Sequence, residues 1–108
     1  MTRHIPSKAM FVRVYRYEIN KCDLQKWKKI NDAARRIYKK YGGGNSKRLI
    51  RKDGDFIRVI EMDHYKSKED FLKIVKQVDK DEKIDGIFKD FLTTVHQKRI
   101  SEEECETV

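Results

Sequence analysis

Cysteine is scarce in this sequence, and the two residues present, Cys22 and Cys105, lie far apart. They form neither a C-x-x-C pair nor any spacing that binds zinc, so we expect no metal centre. Two thiols without a disulfide framework are typical of a reducing compartment. This argues against a small disulfide-stapled secreted domain and predicts two unpaired thiols.

Long hydrophobic runs are absent as well. No stretch approaches the roughly 20 apolar residues that a membrane-spanning helix needs. The first eight residues, MTRHIPSK, lack the apolar centre of a signal peptide, and His4 and Pro6 there suggest only a polar lead-in. We therefore predict a cytoplasmic protein without a membrane partner.

Proline and glycine are also few, at one and five residues. The cluster 42–44 follows a predicted helix and lacks the G-x-x-x-x-G-K-[ST] spacing of a phosphate loop, so we interpret it as a helix end. Neither a nucleophile elbow nor an H-E-x-x-H motif occurs. The sequence thus indicates no reaction and no cofactor, and it leaves open whether the chain is an enzyme.

Charged residues, in contrast, make up 41% of the 108 residues, and hydrophobic residues 38%. The apolar residues recur periodically, which predicts a folded domain rather than disorder. The length fits one domain, 1–108, with a core over 9–100 and flexible ends at 1–8 and 101–108. A composition rich in Lys and Glu but poor in Asn and Gln also suits a thermophile.

This charge is unevenly distributed along the chain. Residues 1–58 carry 17 Lys/Arg and 5 Asp/Glu, a net charge of +12, whereas residues 59–108 carry 9 and 13, a net charge of −4. The asymmetry has two interpretations: basic and acidic surfaces meet in self-association, or an anionic partner binds the basic half.

Hydrophobic periodicity predicts the element order strand–helix–strand–strand–helix–strand, with a short extra helix before the last strand. The predicted bounds are strands at 9–19, 46–52, 56–65 and 93–100, and helices at 24–41, 68–78 and 84–91. Asp23 and Ser67 are the predicted N-caps of the two longer helices, and Asp53-Gly54 is a hairpin signal.

These elements assemble into an α+β fold of the ferredoxin-like βαββαβ type. Right-handed crossovers make the helix-linked strands parallel, and a hairpin joins the two units. The sheet is four-stranded and antiparallel in type, in the order 4-1-3-2, with the helices on one face. The first strand is apolar on both sides, with Val12 and Val14 on one and Phe11 and Tyr15 on the other, so we expect both faces to be covered.

The stretch HYKSKEDFLKIVKQVDKDEKIDGIFKDFLTTV joins a capped helix, an acidic break, a short helix and a Thr-containing last strand. In this pattern, over residues 9–100, the chain resembles the dimeric α/β-barrel superfamily, which includes antibiotic-biosynthesis monooxygenase-like, EthD-like and NIPSNAP-like proteins. The resemblance implies a homodimer in which two sheets pack face to face into a barrel. It also implies a small-molecule pocket between sheet and helices, in a monooxygenase-like enzyme or a binding module.

The resemblance does not extend to the haem-degrading members of that superfamily. Those use an Asn on the first strand, a Trp on the third strand and a His on the second helix. Here the first strand has no Asn before Asn20, the only Trp is Trp27 on the first helix, and the second helix has no His. Haem degradation is therefore not expected.

Four residues are the candidates for a site. His64 and His96 are suited to acid–base or ligand work, because histidine titrates near neutrality. They fall on strands two apart, too far for a shared metal within one subunit. Tyr15 and Tyr17 share a strand face and could line a pocket for a small, flat or apolar molecule. The alternatives are surface or interface histidines, and tyrosines packed between subunits.

A basic patch supports a different function. Arg35, Arg36, Lys39 and Lys40 lie off the apolar stripe of the first helix, close in sequence to the basic hairpin that follows. Such charges bind the phosphates of nucleic acids, although they are equally typical of a solvated helix face. A nucleic-acid-binding module is therefore the alternative function. A structural protein whose acidic tail docks elsewhere is the third.

Overall fold

The computed structural model describes residues 10–96 and 99–108. The predicted lead-in at 1–8, with His4, lies outside the described residues. The described elements are the strands β1 (Phe11–Asn20), β2 (Ser46–Asp53), β3 (Phe56–Tyr65) and β4 (Ser101–Glu106), and the helices α1 (Leu24–Lys40), α2 (Lys68–Val78) and α3 (Ile84–Thr94), with a 3₁₀ turn at Lys21–Asp23.

The four strands form one antiparallel sheet in the order β2-β3-β1-β4, which confirms the predicted order 4-1-3-2. Side chains directly opposite each other on paired strands share a face. The register pairs Tyr15 with Glu61 and with Glu102, and Val14 with Met62 and with Glu103. Each strand therefore has one set of side chains toward the helices, here called the helix face, and one set away from them, the outer face.

Two hydrophobic clusters attach the three helices to the helix face. One joins Phe11 and Tyr65 of the sheet to Ile37 of α1 and Ile74 of α2. The other joins strand residues, which include Ile57 and Val59, to Trp27 of α1 and Phe91 of α3. All three helices therefore lie on one face, as the periodicity predicts, because their apolar stripes are buried against the same inward-pointing strand residues.

The last strand lies later in the chain than predicted. Residues 93 and 94 end α3, since the hydroxyls of Thr93 and Thr94 donate to the carbonyls of Asp90 and Phe91 and Thr94 is fully buried. Such back-bonding lets β-branched residues form a last helical turn. The expected core limit at residue 100 and the expected flexible end at 101–108 are both wrong, because Ser101–Glu106 pairs with β1.

Basic side chains explain how an acidic segment can form this edge strand. Arg13 pairs with Glu102 at 2.6 Å and with Glu104 at 3.2 Å, and Arg16 pairs with Glu103. Lys68 adds a fourth ion pair, to Glu104 at 3.2 Å. Part of the charge asymmetry between the two halves of the sequence is thus neutralised inside a single chain, and the acidic tail docks on its own sheet.

The helix ends follow local chemistry in part. The Ser67 hydroxyl accepts a hydrogen bond from the Asp70 amide at 3.0 Å, which confirms this cap. Asp23 stands at the start of α1, but no amide of the first turn bonds to its carboxylate, which instead accepts a bond from the Asn20 side chain. Gly44 follows α1 with a φ of +87°, where a Cβ would lie 2.5 Å from Cγ of Lys39, so only glycine fits there.

No helix within residues 10–96 and 99–108 is both long and apolar enough to cross a bilayer.

Candidate functional site

A cavity of about 510 Å³ lies between the helix face of the sheet and helices α1 and α3. Its helical wall is mainly apolar, with Ile30 and Ala34 from α1 and Ile87, Phe91 and Leu92 from α3. Its sheet wall is polar and is described below. A volume of this size is typical of sites for small organic molecules, and an apolar wall facing a few polar groups can orient such a molecule.

The polar sheet wall follows from the alternation of β3. Ile57, Val59, Glu61, Asp63 and Tyr65 are successive residues of its helix face, since Ile57 and Val59 are buried in the core. Because side chains alternate along a strand, Glu61 and Asp63 lie on the same face as the two buried aliphatic residues, and their carboxyl groups form part of the cavity wall. Cross-strand register then sets their neighbours.

Two cross-strand rows contain these carboxyl groups. The first row runs Ser46, Asp63, Arg13 and Glu104 from β2 to β4. The second row runs Arg48, Glu61, Tyr15 and Glu102. Each row contains one arginine next to an acidic residue, which offsets part of the cost of placing charge between sheet and helices.

Glu61 is fixed by a chain of hydrogen bonds. The indole Nε1 of Trp27 donates to the Tyr17 hydroxyl at 2.9 Å, and that hydroxyl donates to Oε1 of Glu61 at 3.3 Å. Nε of Arg48 donates to the same oxygen at 3.4 Å. A guanidinium and a phenol thus hold the Glu61 carboxyl group in a fixed position in the cavity wall.

Asp63 favours its protonated form. Burial, and then the negative charge of Glu61, raise the pKa of Asp63 to about 8, against the opposing effect of Arg48. The Asp63 carboxyl group is therefore largely protonated at neutral pH. Burial likewise raises the pKa values of Tyr15, Tyr17 and Tyr38, so the phenols at the cavity are neutral.

Three buried polar atoms in the cavity wall have no hydrogen-bond partner among the described residues. They are Oγ of Ser46, Oδ1 of Asp63 and Nε of Arg35. Buried polar atoms are nearly always paired in folded proteins. The wall therefore presents one free donor and two free acceptor atoms to a bound molecule.

The structure brings two of the four predicted site residues together. Tyr15 and Tyr17 both line the cavity. Because they lie on the helix face, the alternative that they pack between two sheets is wrong. Their role in binding stays a prediction.

The two histidines lie elsewhere. His64 is opposite Val12 and so lies on the outer face, half-buried. His96 is not on β4 but follows α3, where it is exposed and its ring contacts that of Phe56 at 4.8 Å between centroids. Neither histidine is part of the cavity wall, so the structure places no imidazole at this site.

Sequence reasoning missed Glu61 and Asp63. Their signal was present, since two carboxylates at i and i+2 continue the inward phase of Ile57 and Val59. On a strand with one buried face, such a pair must enter the interior. Within the described residues no three His, Cys, Asp or Glu side chains come together as a metal-binding group.

The predicted basic patch is divided by the structure. Arg35 turns into the cavity wall, and Lys40 pairs with Asp81 at 3.5 Å. Arg36 and Lys39 are exposed on α1. Nucleic-acid binding by these four residues stays a prediction, with a less continuous surface than the sequence suggests.

Comparison with known proteins locates the fold. No protein-family profile matches the sequence, and neither does any curated protein. A solved NIPSNAP family protein of unknown function from Agrobacterium tumefaciens superposes with a TM-score of 0.74 at 11% identity, covering 98% of this chain and 95% of that one. A dimeric ferredoxin-like protein from an uncultured marine organism gives a TM-score of 0.68 at 16% identity, covering 94% and 97%.

An enzyme has a similar structure as well. SnoaB, a cofactor-independent oxygenase from Streptomyces nogalater, superposes with a TM-score of 0.64 at 8% identity, covering 94% of this chain and 93% of that one. At these identities the likeness shows the fold alone. The chain thus has the ferredoxin-like α+β fold of these proteins, and the predicted resemblance to the dimeric α/β-barrel superfamily is confirmed at the level of fold.

Proposed function

We propose that this chain is a homodimeric protein that binds a small organic molecule in the cavity between sheet and helices. The observation that carries the proposal is the Glu61–Asp63 carboxyl pair, which lies in the polar sheet wall of a cavity whose helical wall is mainly apolar. A purely structural core would gain stability by replacing such a pair with apolar side chains. Costly polar groups that converge on a cavity are typical of functional sites.

The bound molecule would lie with its flat or apolar side on α1 and α3. Its polar edge would face Oδ1 of Asp63 and the hydroxyl of Tyr17. Because the Asp63 carboxyl group is largely protonated at neutral pH, it can donate a proton to a ligand and accept one back. The protein is thus equipped for proton exchange with its ligand as well as for binding.

Self-association is supported by the outer face of the sheet. The apolar residues of this face are Val12, Val14, Leu49, Phe56, Ile60 and Met62. Val12, Val14, Leu49, Ile60 and Met62 are neighbours across β1, β3 and β2, opposite the face that the helices cover, whereas the charged row of Glu18, Arg58 and Arg51 separates Phe56 from this band. A second copy placed on this band would bury it, and proteins of the same fold are dimeric.

A blocking substitution tests whether the cavity binds ligands. Ala34→Phe on α1 fills part of the cavity, so we expect every small-molecule fragment detected by ligand-observed NMR with the wild-type protein to lose at least about tenfold in affinity. Gln25→Phe adds the same ring at an exposed position of the same helix and should leave binding unchanged. Fragments that bind both variants equally would place the ligand elsewhere and refute the proposal.

A monooxygenase-like reaction is the second candidate, favoured by the fold shared with SnoaB. The carboxyl pair could remove a proton from a bound substrate, which is a first step available to an enzyme without a cofactor. Oxygen consumption in the presence of a bound fragment, lost in Asp63→Asn and Glu61→Gln, would support this reaction. Binding without oxygen consumption would leave a binding protein.

A further inference from the structure

The charge of the cavity wall is opposite in sign to that of the whole chain. The protein carries a net charge of +8. The acidic residues of the wall are Glu61, Asp63, Asp79, Asp85 and Glu102, and the basic residues are Arg35 and Arg48. The acidic character of the cavity is therefore local and does not follow from the overall charge of the protein. A concave wall with acidic side chains concentrates the negative electrostatic potential and attracts cations.

The ion pairs leave acidic groups available at this wall. Arg48 is occupied by Glu61, and Glu102 by Arg13. Asp79 and Asp85 are exposed where α2 ends and α3 begins, at the rim of the cavity. Asp63 lies deeper and has a free carboxyl oxygen. The unmatched charge at the cavity is therefore carboxylate, with Arg35 as the opposing cation.

Aromatic rings supply the second half of a cation site. The rings that line the cavity are those of Tyr15, Tyr17, Tyr38, Phe88 and Phe91. Tyr17 meets Phe91 edge to face at 5.2 Å, and Phe88 stacks on Phe91 at 6.4 Å between centroids. Ring faces together with a carboxyl group are the groups that recognise organic ammonium ions.

We propose that the ligand is an organic amine, bound as its ammonium ion on an aromatic or apolar body, with the ammonium group held between the Asp63 carboxyl group and the aromatic rings of the cavity wall. This inference rests on the proposed function and names the class of its ligand. The ammonium group donates to Oδ1 of Asp63, the Asp63 carboxyl group ionises, and its proton leaves to solvent. The cavity thus exchanges one positive charge for another without forming a covalent bond.

The surroundings of Asp63 permit this exchange. The groups that face it are Arg13 and Tyr15 from β1, Ser46 and Arg48 from β2, Glu61 and Tyr65 from β3, and Arg35 and Tyr38 from α1. Arg48 favours the ionised form of Asp63, but its guanidinium group is also bonded to Glu61, and Arg13 is shared with two glutamates. Nε of Arg35 can donate to an oxygen atom of the same ligand, which favours amines that also carry a hydroxyl or carbonyl group.

Tyramine and its neutral isostere tyrosol test the inference, because they differ only in an amine against a hydroxyl group. We expect the full chain to bind tyramine about tenfold or more tightly than tyrosol, as charged hydrogen bonds are the stronger ones. Isothermal titration calorimetry at about pH 6.5, in two buffers of different ionisation enthalpy, should show release of up to one proton per tyramine and none for tyrosol. The tyramine affinity should rise as pH is raised from 6.5 to 8, because a growing fraction of Asp63 is then ionised before tyramine binds.

Two variants complete the experiment. Asp63→Asn should abolish proton release and the preference for tyramine over tyrosol, and Asp32→Asn on the exposed side of α1 should behave as the wild type. Equal binding of tyramine and tyrosol, or tyramine binding without proton release, would overturn the amine assignment and leave the proposed cavity function standing. If the wild type bound neither these compounds nor any other fragment, the proposed function would fail as well.

Discussion

Asp63 and Glu61 line the same cavity, two residues apart on β3, but their carboxyl groups have different surroundings. Arg48 and the Tyr17 hydroxyl both donate hydrogen bonds to Glu61. Asp63 takes the proton because burial and the charge of Glu61 disfavour a second anion. At the scale of single residues, this difference makes the site sensitive to pH.

The stability of the protein should therefore depend on pH through Asp63. Its pKa is raised from 3.8 to about 8 on folding, so the folded chain binds a proton that the unfolded chain releases between these values. The stabilising effect is complete below the lower value and is lost as pH rises toward the upper one. We expect the free energy of unfolding, measured by urea titration, to fall by about 4–5 kcal/mol from pH 4.5 to pH 9 relative to Asp63→Asn.

The comparison with Asp63→Asn isolates this one group, because the amide keeps a donor for Glu61 but does not titrate. Asp32→Asn makes the same chemical change at an exposed aspartate of α1. Its free energy of unfolding should keep the full pH dependence of the wild type. If the free energy of unfolding had the same pH dependence in the wild type and in Asp63→Asn, the pKa of Asp63 would not be raised on folding, and the prediction would be wrong.

At the scale of elements, β4 is the unusual strand. It is an edge strand with four glutamates in six residues, and only Cys105 in it is half-buried. Hydrogen bonding to β1 and the ion pairs of Arg13, Arg16 and Lys68 hold it in place. It also covers the side of β1 that would otherwise be a free sheet edge.

Deletion of residues 101–108 should consequently destabilise the fold. We expect the free energy of unfolding to fall by on the order of 2–4 kcal/mol, with a lower Tm by circular dichroism. The reason is that the hydrogen bonds between β4 and β1 are lost, and that Arg13, Arg16 and Lys68 lose their glutamate partners. Val108 is fully exposed, so removal of this residue alone is the matched control and should have no effect. An unchanged Tm for the longer deletion would mean that the segment adds nothing to the fold.

At the scale of the whole molecule, the outer face decides the assembly. Leu49 is 47% exposed in the single chain, at the β2 side of the apolar band. We expect the wild type to be a dimer at micromolar concentration by size-exclusion chromatography with light scattering. Leu49→Glu should weaken the dimer by about tenfold or more, because it places a charge in the apolar interface.

Leu72 offers a matched control for this substitution. It is 54% exposed on α2, on the opposite side of the molecule, so Leu72→Glu should leave the dimer unchanged. Because both leucines are largely exposed in the single chain, neither substitution is expected to unfold it. A wild-type monomer at micromolar concentration would contradict the proposed assembly.

The sequence by itself determined the element order and the sheet order. Period-2 and period-3.6 patterns in strands such as 56–65 and helices such as 24–40 are local, and right-handed crossovers leave few topologies for them. It also placed Tyr15 and Tyr17 on one strand face, and both line the cavity.

Only the tertiary structure decided where the last strand lies and which polar residues meet. Local propensity favoured a strand at 93–100, but buried Thr94 and its bond to the Phe91 carbonyl continue α3. The acidic segment 101–106 has no strand signal of its own and pairs with β1 because Arg13 and Arg16 stand opposite its glutamates. The protonation of Asp63 likewise depends on burial and on Glu61 and Arg48, groups that only folding brings around one buried oxygen.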